Sequence, residues 1–237
     1  MNDKELKDML VNSQNCQRNW DLDYVIPKHH EDLMITAIKS SPSKQNERHF
    51  KVAMIKKLED RLRVYNETEN FAHDYDGSIR KNPDGSVDYN KQSNLLGSTL
   101  FCFMLVKNDL YRNSEAFAGG SGVKEDFNVD KMMLQDFTDP EKRKKVMFRY
   151  DTYKQQAIGI SIGYLLLTSH MLGYKTCCSG GFSGKAVNEI LGTKEYHKIE
   201  VVVAVGMPDG DRNRREEQFD PSRVFPSFRK DIEVFDA

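Results

Sequence analysis

The chain has little excess of either charge: 35 lysines and arginines stand against 36 aspartates and glutamates, a formal net charge of −1 over 237 residues. With no broad basic field, it lacks the electrostatic footprint of a nucleic-acid binder. Cysteine is scarce, and its four positions (Cys16, Cys102, Cys177, Cys178) show neither CxxC pairs nor zinc-ligand spacing. Neighbouring cysteines seldom reach disulfide geometry, so Cys177 and Cys178 read as strand residues of a reduced, cytoplasmic protein rather than a redox pair. The six histidines lack metal-ligand spacing, and no metal site is expected. Missing too are a Ser/His/Asp order, a nucleophile elbow, a Walker loop, a GxGxxG after a strand, and any internal repeat. The turns at Asp74–Gly77 and Asn82–Gly85 hint at a calcium loop, but the ligand alternation fails and the terminal bidentate Glu is absent. The opening MNDKELKDML is charged and has no apolar signal region, so a surface helix is expected there. If the chain is an enzyme, a bound cofactor carries the reaction while the protein supplies shape and electrostatics.

What is present is one long apolar stretch. Ala157 to Leu172 contains neither charge nor proline and is apolar nearly all round, which predicts a helix buried on every side. Ser161, Thr168, Ser169 and His170 lie inside it and no aromatic belt flanks it, so a core helix is favoured over a membrane span. Gly159 and Gly163 share one face. Each costs a helix about 1 kcal/mol against alanine, which suggests a close approach by another helix or a flat ligand. His170 reads as a satisfied core histidine. Gly173 supplies a C-cap, a short buried strand follows over Tyr174–Cys178, and Gly180-Gly181 turns into a helix over Ser183–Leu191, stopped by Gly192.

Around this stretch the pattern predicts helices over Asp3–Val11 and His29–Lys39, a strand over Phe50–Ile55 and a basic, exposed helix over Lys56–Tyr65. Leu100–Val106 and Ile199–Val205 are continuous apolar runs of buried-strand type. Residues 107–150 read as a flap over a site or as a plain surface excursion. Helices around several buried strands make an α+β layered domain, here a single domain over 1–237. The donor-rich segment Asn12–Trp20 is either a solvated loop pinned by Trp20 or a cradle for an anion or heterocycle, with Arg18 as its fixed charge. The Pro42 turn is the kind of rigid loop that presents small polar groups to a ligand.

In motif content and order these loops resemble the FMN-dependent nitroreductase family over most of the chain. That family follows its first helix with an Arg-Arg-Ser-x-Arg-x-aromatic segment, here Gln14-Asn15-Cys16-Gln17-Arg18-Asn19-Trp20. Its Pro-Ser-Ser-x-Asn loop is matched by Pro42-Ser43-Lys44-Gln45-Asn46, and its Asn-x-Gln stretch by Asn90-Lys91-Gln92. The central helix ending in Leu172-Gly173, the turn at Gly181-Phe182, the Val-rich strand ending at Gly206 and the basic Ser222-Arg223 complete the order.

The resemblance implies a central mixed β-sheet surrounded by helices, with a long buried central helix. It implies FMN as cofactor, a cytoplasmic homodimer with the flavin at its seam, and ping-pong transfer from NAD(P)H to a small nitroaromatic- or quinone-like acceptor. Membrane and nucleic acid are not implied as partners. Arg18 would face the flavin's pyrimidine edge, Asn90 would hydrogen-bond it, and Gln14, Asn15, Cys16 and Arg223 would line the phosphate end. Backbone N–H groups at Gly180 and Gly181 would approach N5, Ser179 would bind the cofactor, and Pro42, Ser43, Lys44 and Asn46 would reach the flavin of the other subunit. Gln14 and Cys16 replace the usual Arg and Ser, leaving more of the phosphate's charge to Arg18 and Arg223. Alternatives that stay open are reductive dehalogenation or flavin breakdown within the same superfamily, a non-catalytic flavin- or ligand-binding protein, and an α+β protein without flavin.

Overall fold

The computed structural model describes residues 2–13, 16–43, 50–68, 70–71, 81, 85, 89–90, 93–106, 140–193 and 197–211. Its centre is a four-stranded sheet. The strands β1 (Phe50–Ile55), β4 (Thr99–Val106), β5 (Lys175–Ser179) and β6 (His197–Gly206) lie in the order β1-β4-β6-β5. β4 and β6 are the two inner strands, and their side chains divide cleanly by the two-residue period of a strand. Phe101, Phe103, Leu105, Val203 and Val205 face one layer, while Leu100, Cys102, Met104, Val202 and Ala204 face the other.

Both faces are covered. On the first lie α2 (Lys28–Ser40) and α4 (Pro140–Met171), contributing Met34, Ile38, Ile158 and Leu165. On the second lie α3 (Leu58–Glu67), a 3₁₀ turn (Ser93–Leu96) and α5 (Gly184–Leu191), contributing Val64, Leu95, Leu96 and Val187. A further helix, α1 (Asp3–Asn12), opens on a capping box in which Asn2 and Glu5 satisfy each other's backbone N–H groups.

The α+β layering is as expected; where a mixed sheet was expected, every pair among the described strands of this sheet is antiparallel. A continuous apolar run records burial on both faces and says nothing of strand direction, which the connections decide. The central helix also departs from expectation. Ala157, Ile158, Ser161, Leu165 and Ser169 are buried, yet Ile160, Tyr164, Leu167 and Met171 are exposed, Met171 at 61 %. Gly159 and Gly163 lie on this open side, with nothing within 4 Å of where a Cβ would stand. The apolar composition was legible; among the described residues, packing covers one side of the helix.

Residues 140–150, expected to belong to a flap or excursion, form the start of α4. The remainder of that segment (107–139), the turn at Asp74–Gly77 and the arginines beyond Asp211 lie outside the described residues. No helix among the described residues is long and apolar enough to cross a membrane.

Candidate cofactor site

The segment after α1 is laid along the sheet's outer strand, β5. The Gln17 N–H donates to the Thr176 carbonyl at 3.0 Å, and Trp20 forms an antiparallel bridge with Pro208 just past β6. Trp20 is buried and its indole N–H donates to the Ser93 carbonyl at 3.0 Å, so it is the plug from which the polar segment hangs. Gly206 makes room for it. A Cβ there would lie 2.7 Å from the Ser98 nitrogen and 3.2 Å from the Trp20 ring.

The donors of this segment divide in two. The Gln17 amide donates to the Asn19 carbonyl, and the Asn19 amide to the Asp209 carbonyl. They hold the loop's shape. Arg18, half-buried between them, is close enough for its charge to act on the Cys177 thiol. Cys16 packs against the cluster containing Cys177, and the two thiols are in hydrogen-bonding contact. That contact and burial push the Cys177 thiol far up, with Arg18 pulling the other way.

The turn that ends β5 is held from three sides. The Ser179 hydroxyl donates to the Gly181 carbonyl at 2.8 Å. The Ser183 hydroxyl accepts from the Ala186 N–H at 3.2 Å and caps α5, while the Ser183 N–H donates to the Thr68 hydroxyl at 2.8 Å. Gly180 stands exposed within this frame, and the space a side chain would fill is empty. Two residues after Thr68, Asn70 pairs with Asn90 in a short ladder, β2 (Asn70–Phe71) with β3 (Tyr89–Asn90).

Pro42 and Ser43 are anchored elsewhere. Ser41 donates to the Ile38 carbonyl at 2.8 Å and meets the Ser161 hydroxyl, in the middle of α4, at 2.5 Å. Next to this anchor the Ser43 hydroxyl is buried without a hydrogen-bond partner. One chain thus gathers Cys16, Arg18, Ser179, Gly180 and Gly181 at β5 and sets the Pro42–Ser43 pair against α4. Gln14, Asn15, Lys44, Asn46 and Arg223 lie outside the described residues. Sequence reasoning missed Thr68, whose hydroxyl fixes the glycine turn from a distant helix. No short-range pattern marks it.

Two cavities are found away from this group. One of about 280 Å³ is bordered by Tyr24, Glu31, Lys56 and Arg61, and an apolar one of about 260 Å³ lies between α2 and β1. Neither includes a residue of the cradle.

A sequence profile of the Nitroreductase family matches residues 13–207, a span running from the loop before Arg18 to the end of β6. The chain belongs to the nitroreductase family. Solved structures of that fold superpose on it along nearly its whole length. A Bacillus subtilis protein described as a nitroreductase (YdfN) is 17 % identical, with a TM-score of 0.63 over 98 % of this chain and 99 % of that one. A nitroreductase-like protein from Streptococcus mutans is 14 % identical, with a TM-score of 0.60 over 98 % of this chain and 99 % of that one. A Staphylococcus epidermidis protein described as an NAD(P)H:FMN oxidoreductase is 18 % identical, with a TM-score of 0.53 over 95 % of both chains. At these identities the likeness is one of fold. No curated protein matches the chain in sequence. Membership in the nitroreductase family makes the open edge of β5, rather than either cavity, the place to look for oxidoreductase chemistry.

Proposed function

We propose that this nitroreductase-family chain is an FMN-dependent oxidoreductase, one domain over residues 1–237, that works as a cytoplasmic homodimer. In this reading it moves reducing equivalents from NAD(P)H to a small nitroaromatic- or quinone-like acceptor. The observation that carries the reading is the glycine turn after β5. Gly180 is exposed with empty space before it, at the same strand edge that holds half-buried Arg18. A flat ring can approach the backbone there, and a fixed cation lies within reach of an anionic group. The nitroreductase-family profile and the fold shared with a protein described as an NAD(P)H:FMN oxidoreductase support FMN and a nicotinamide donor.

The residues present fit the cofactor. FMN supplies two-electron chemistry at its ring, so no fixed acid or base is required of the chain. Arg18 holds a charge that favours an electron-rich ring and, with Arg223, balances the phosphate. The N–H groups of Gly180 and Gly181 would serve as donors at this turn, where the space around Gly180 is open. The buried Ser43 hydroxyl lacks a partner and sits on a loop anchored to α4. It is satisfied when that loop meets a cofactor bound by a second copy. The same second copy covers Gly159, Ile160, Gly163, Tyr164, Leu167 and Met171, an apolar strip that a monomer leaves in water.

The test is direct. The purified protein takes up FMN, and anaerobic NADH or NADPH bleaches it. Arg18→Ala weakens FMN binding about 10- to 100-fold, the size of a lost charge-assisted hydrogen bond. Unchanged flavin titration in that variant contradicts the role given to Arg18. Flavin that binds but is not bleached by either nucleotide makes the protein a flavin binder rather than an oxidoreductase.

A further inference from the structure

Cys16 and Cys177 lie far apart in sequence and against one another in space. The hydrogen bond from the Gln17 N–H to the Thr176 carbonyl, 3.0 Å, pins together the residues next to them. Cys16 packs on the buried cluster that contains Cys177. We propose that Cys16 and Cys177 are a peroxide-oxidisable thiol pair that closes to an intramolecular disulfide across the outer edge of the sheet.

Burial divides the roles between the two sulfurs. Cys16 is half-buried and open to a small oxidant, whereas Cys177 is only 2 % exposed. Cys16 therefore reacts first. Its sulfur attacks one oxygen of hydrogen peroxide, the O–O bond breaks, and the departing hydroxide takes up the thiol proton as water, leaving a sulfenic acid. The Cys177 sulfur then attacks the Cys16 sulfur. The S–O bond breaks, the hydroxide leaves with the Cys177 proton as a second water, and the disulfide forms. Two thiols lose one electron each, and the peroxide gains two. A disulfide needs Cα atoms within about 7 Å, a separation that residues flanking a 3.0 Å hydrogen bond between adjacent backbones can reach. Cys178, the next residue on β5, alternates to the opposite, exposed side and has no part in the link.

The bond would fasten the segment carrying Arg18 to β5. Its formation does not depend on a bound flavin; only its effect on the cofactor site rests on the function proposed above. The full-length reduced protein, with and without FMN, is treated with stoichiometric hydrogen peroxide, alkylated, digested and analysed by mass. Two of the four thiols are expected to vanish together, with a peptide pair linking Cys16 to Cys177 and full return on dithiothreitol. Cys16→Ser removes the linked pair, and Cys178→Ser leaves it intact. A Cys16–Cys178 link, a link between two chains, oxygen added without linkage, or four unaltered thiols would overturn the proposal.

Discussion

Arg61 shows how one residue holds several loops in place. Its buried guanidinium donates to the carbonyls of Lys56 (3.1 Å), Leu96 (3.0 Å), Gly97 (2.9 Å) and Leu22 (3.2 Å), tying α3 to the segment after Trp20 and to the turn before β4. Arg61→Met keeps the volume and removes the donors. It should cost about 2–4 kcal/mol, or roughly 5–15 °C in Tm for a domain of this size, measured by calorimetry. His170 yields a pH prediction. Burial and then the charge of Lys175 lower its pKa, and its ring meets the Thr176 hydroxyl at 3.3 Å. The unfolded chain therefore binds the proton more readily, and stability falls as pH drops below about 6.5. His170→Gln lacks that titration, so the wild type's advantage over it should shrink between pH 7.5 and 5.5 in urea melts. A gap that widens on acidification would contradict this account. Some of this was legible in sequence: Trp20 as plug and His170 as a satisfied core residue follow from one apolar or ambivalent side chain in an apolar neighbourhood. Arg61 was not. It sits in a helix read as basic and exposed, and nothing local distinguishes a guanidinium facing four carbonyls from one facing water. The meeting of Cys16 and Cys177 was likewise hidden, because it exists only once the loop lies along β5.

Among the elements, α4 says most. Its composition predicts burial, and the chain delivers burial on one side only. The glycines expected to mark a close approach do mark one face, but it is the face this chain leaves uncovered. Ser161 and Ser169 return their hydroxyls to the Ala157 and Leu165 carbonyls, at 2.9 Å and 2.7 Å, so neither hydroxyl calls for water on the buried side. If two copies meet on the open strip, Leu167→Arg should loosen the dimer by at least about 30-fold, the effect of losing a 2 kcal/mol contact. Sedimentation velocity reads the shift, and circular dichroism should remain that of the parent because the side chain already points outward. A variant that stays dimeric would place the seam elsewhere. Strands and helices were mostly legible from their periods. Strand direction was not, since β4 and β6 are buried on both faces whichever way their neighbours run.

Over the whole molecule, the layered α+β arrangement places the segment with Arg18 and the glycine turn at one edge of the sheet, and the Pro42 loop on the helix that lacks a cover. Among the described residues these two groups stand on different elements, the one at β5 and the other on α4. Their separation fits a cofactor shared between two copies. The elements that carry these loops were legible in outline, because each loop lies at the end of an element whose length the apolar pattern fixes. The most direct measurement is sedimentation of the purified protein with added FMN, followed at once in the ultraviolet and in the flavin's visible band. The account predicts flavin colour travelling with a species of twice the chain mass. Colour left behind at the meniscus, with the protein sedimenting as a monomer, would contradict it.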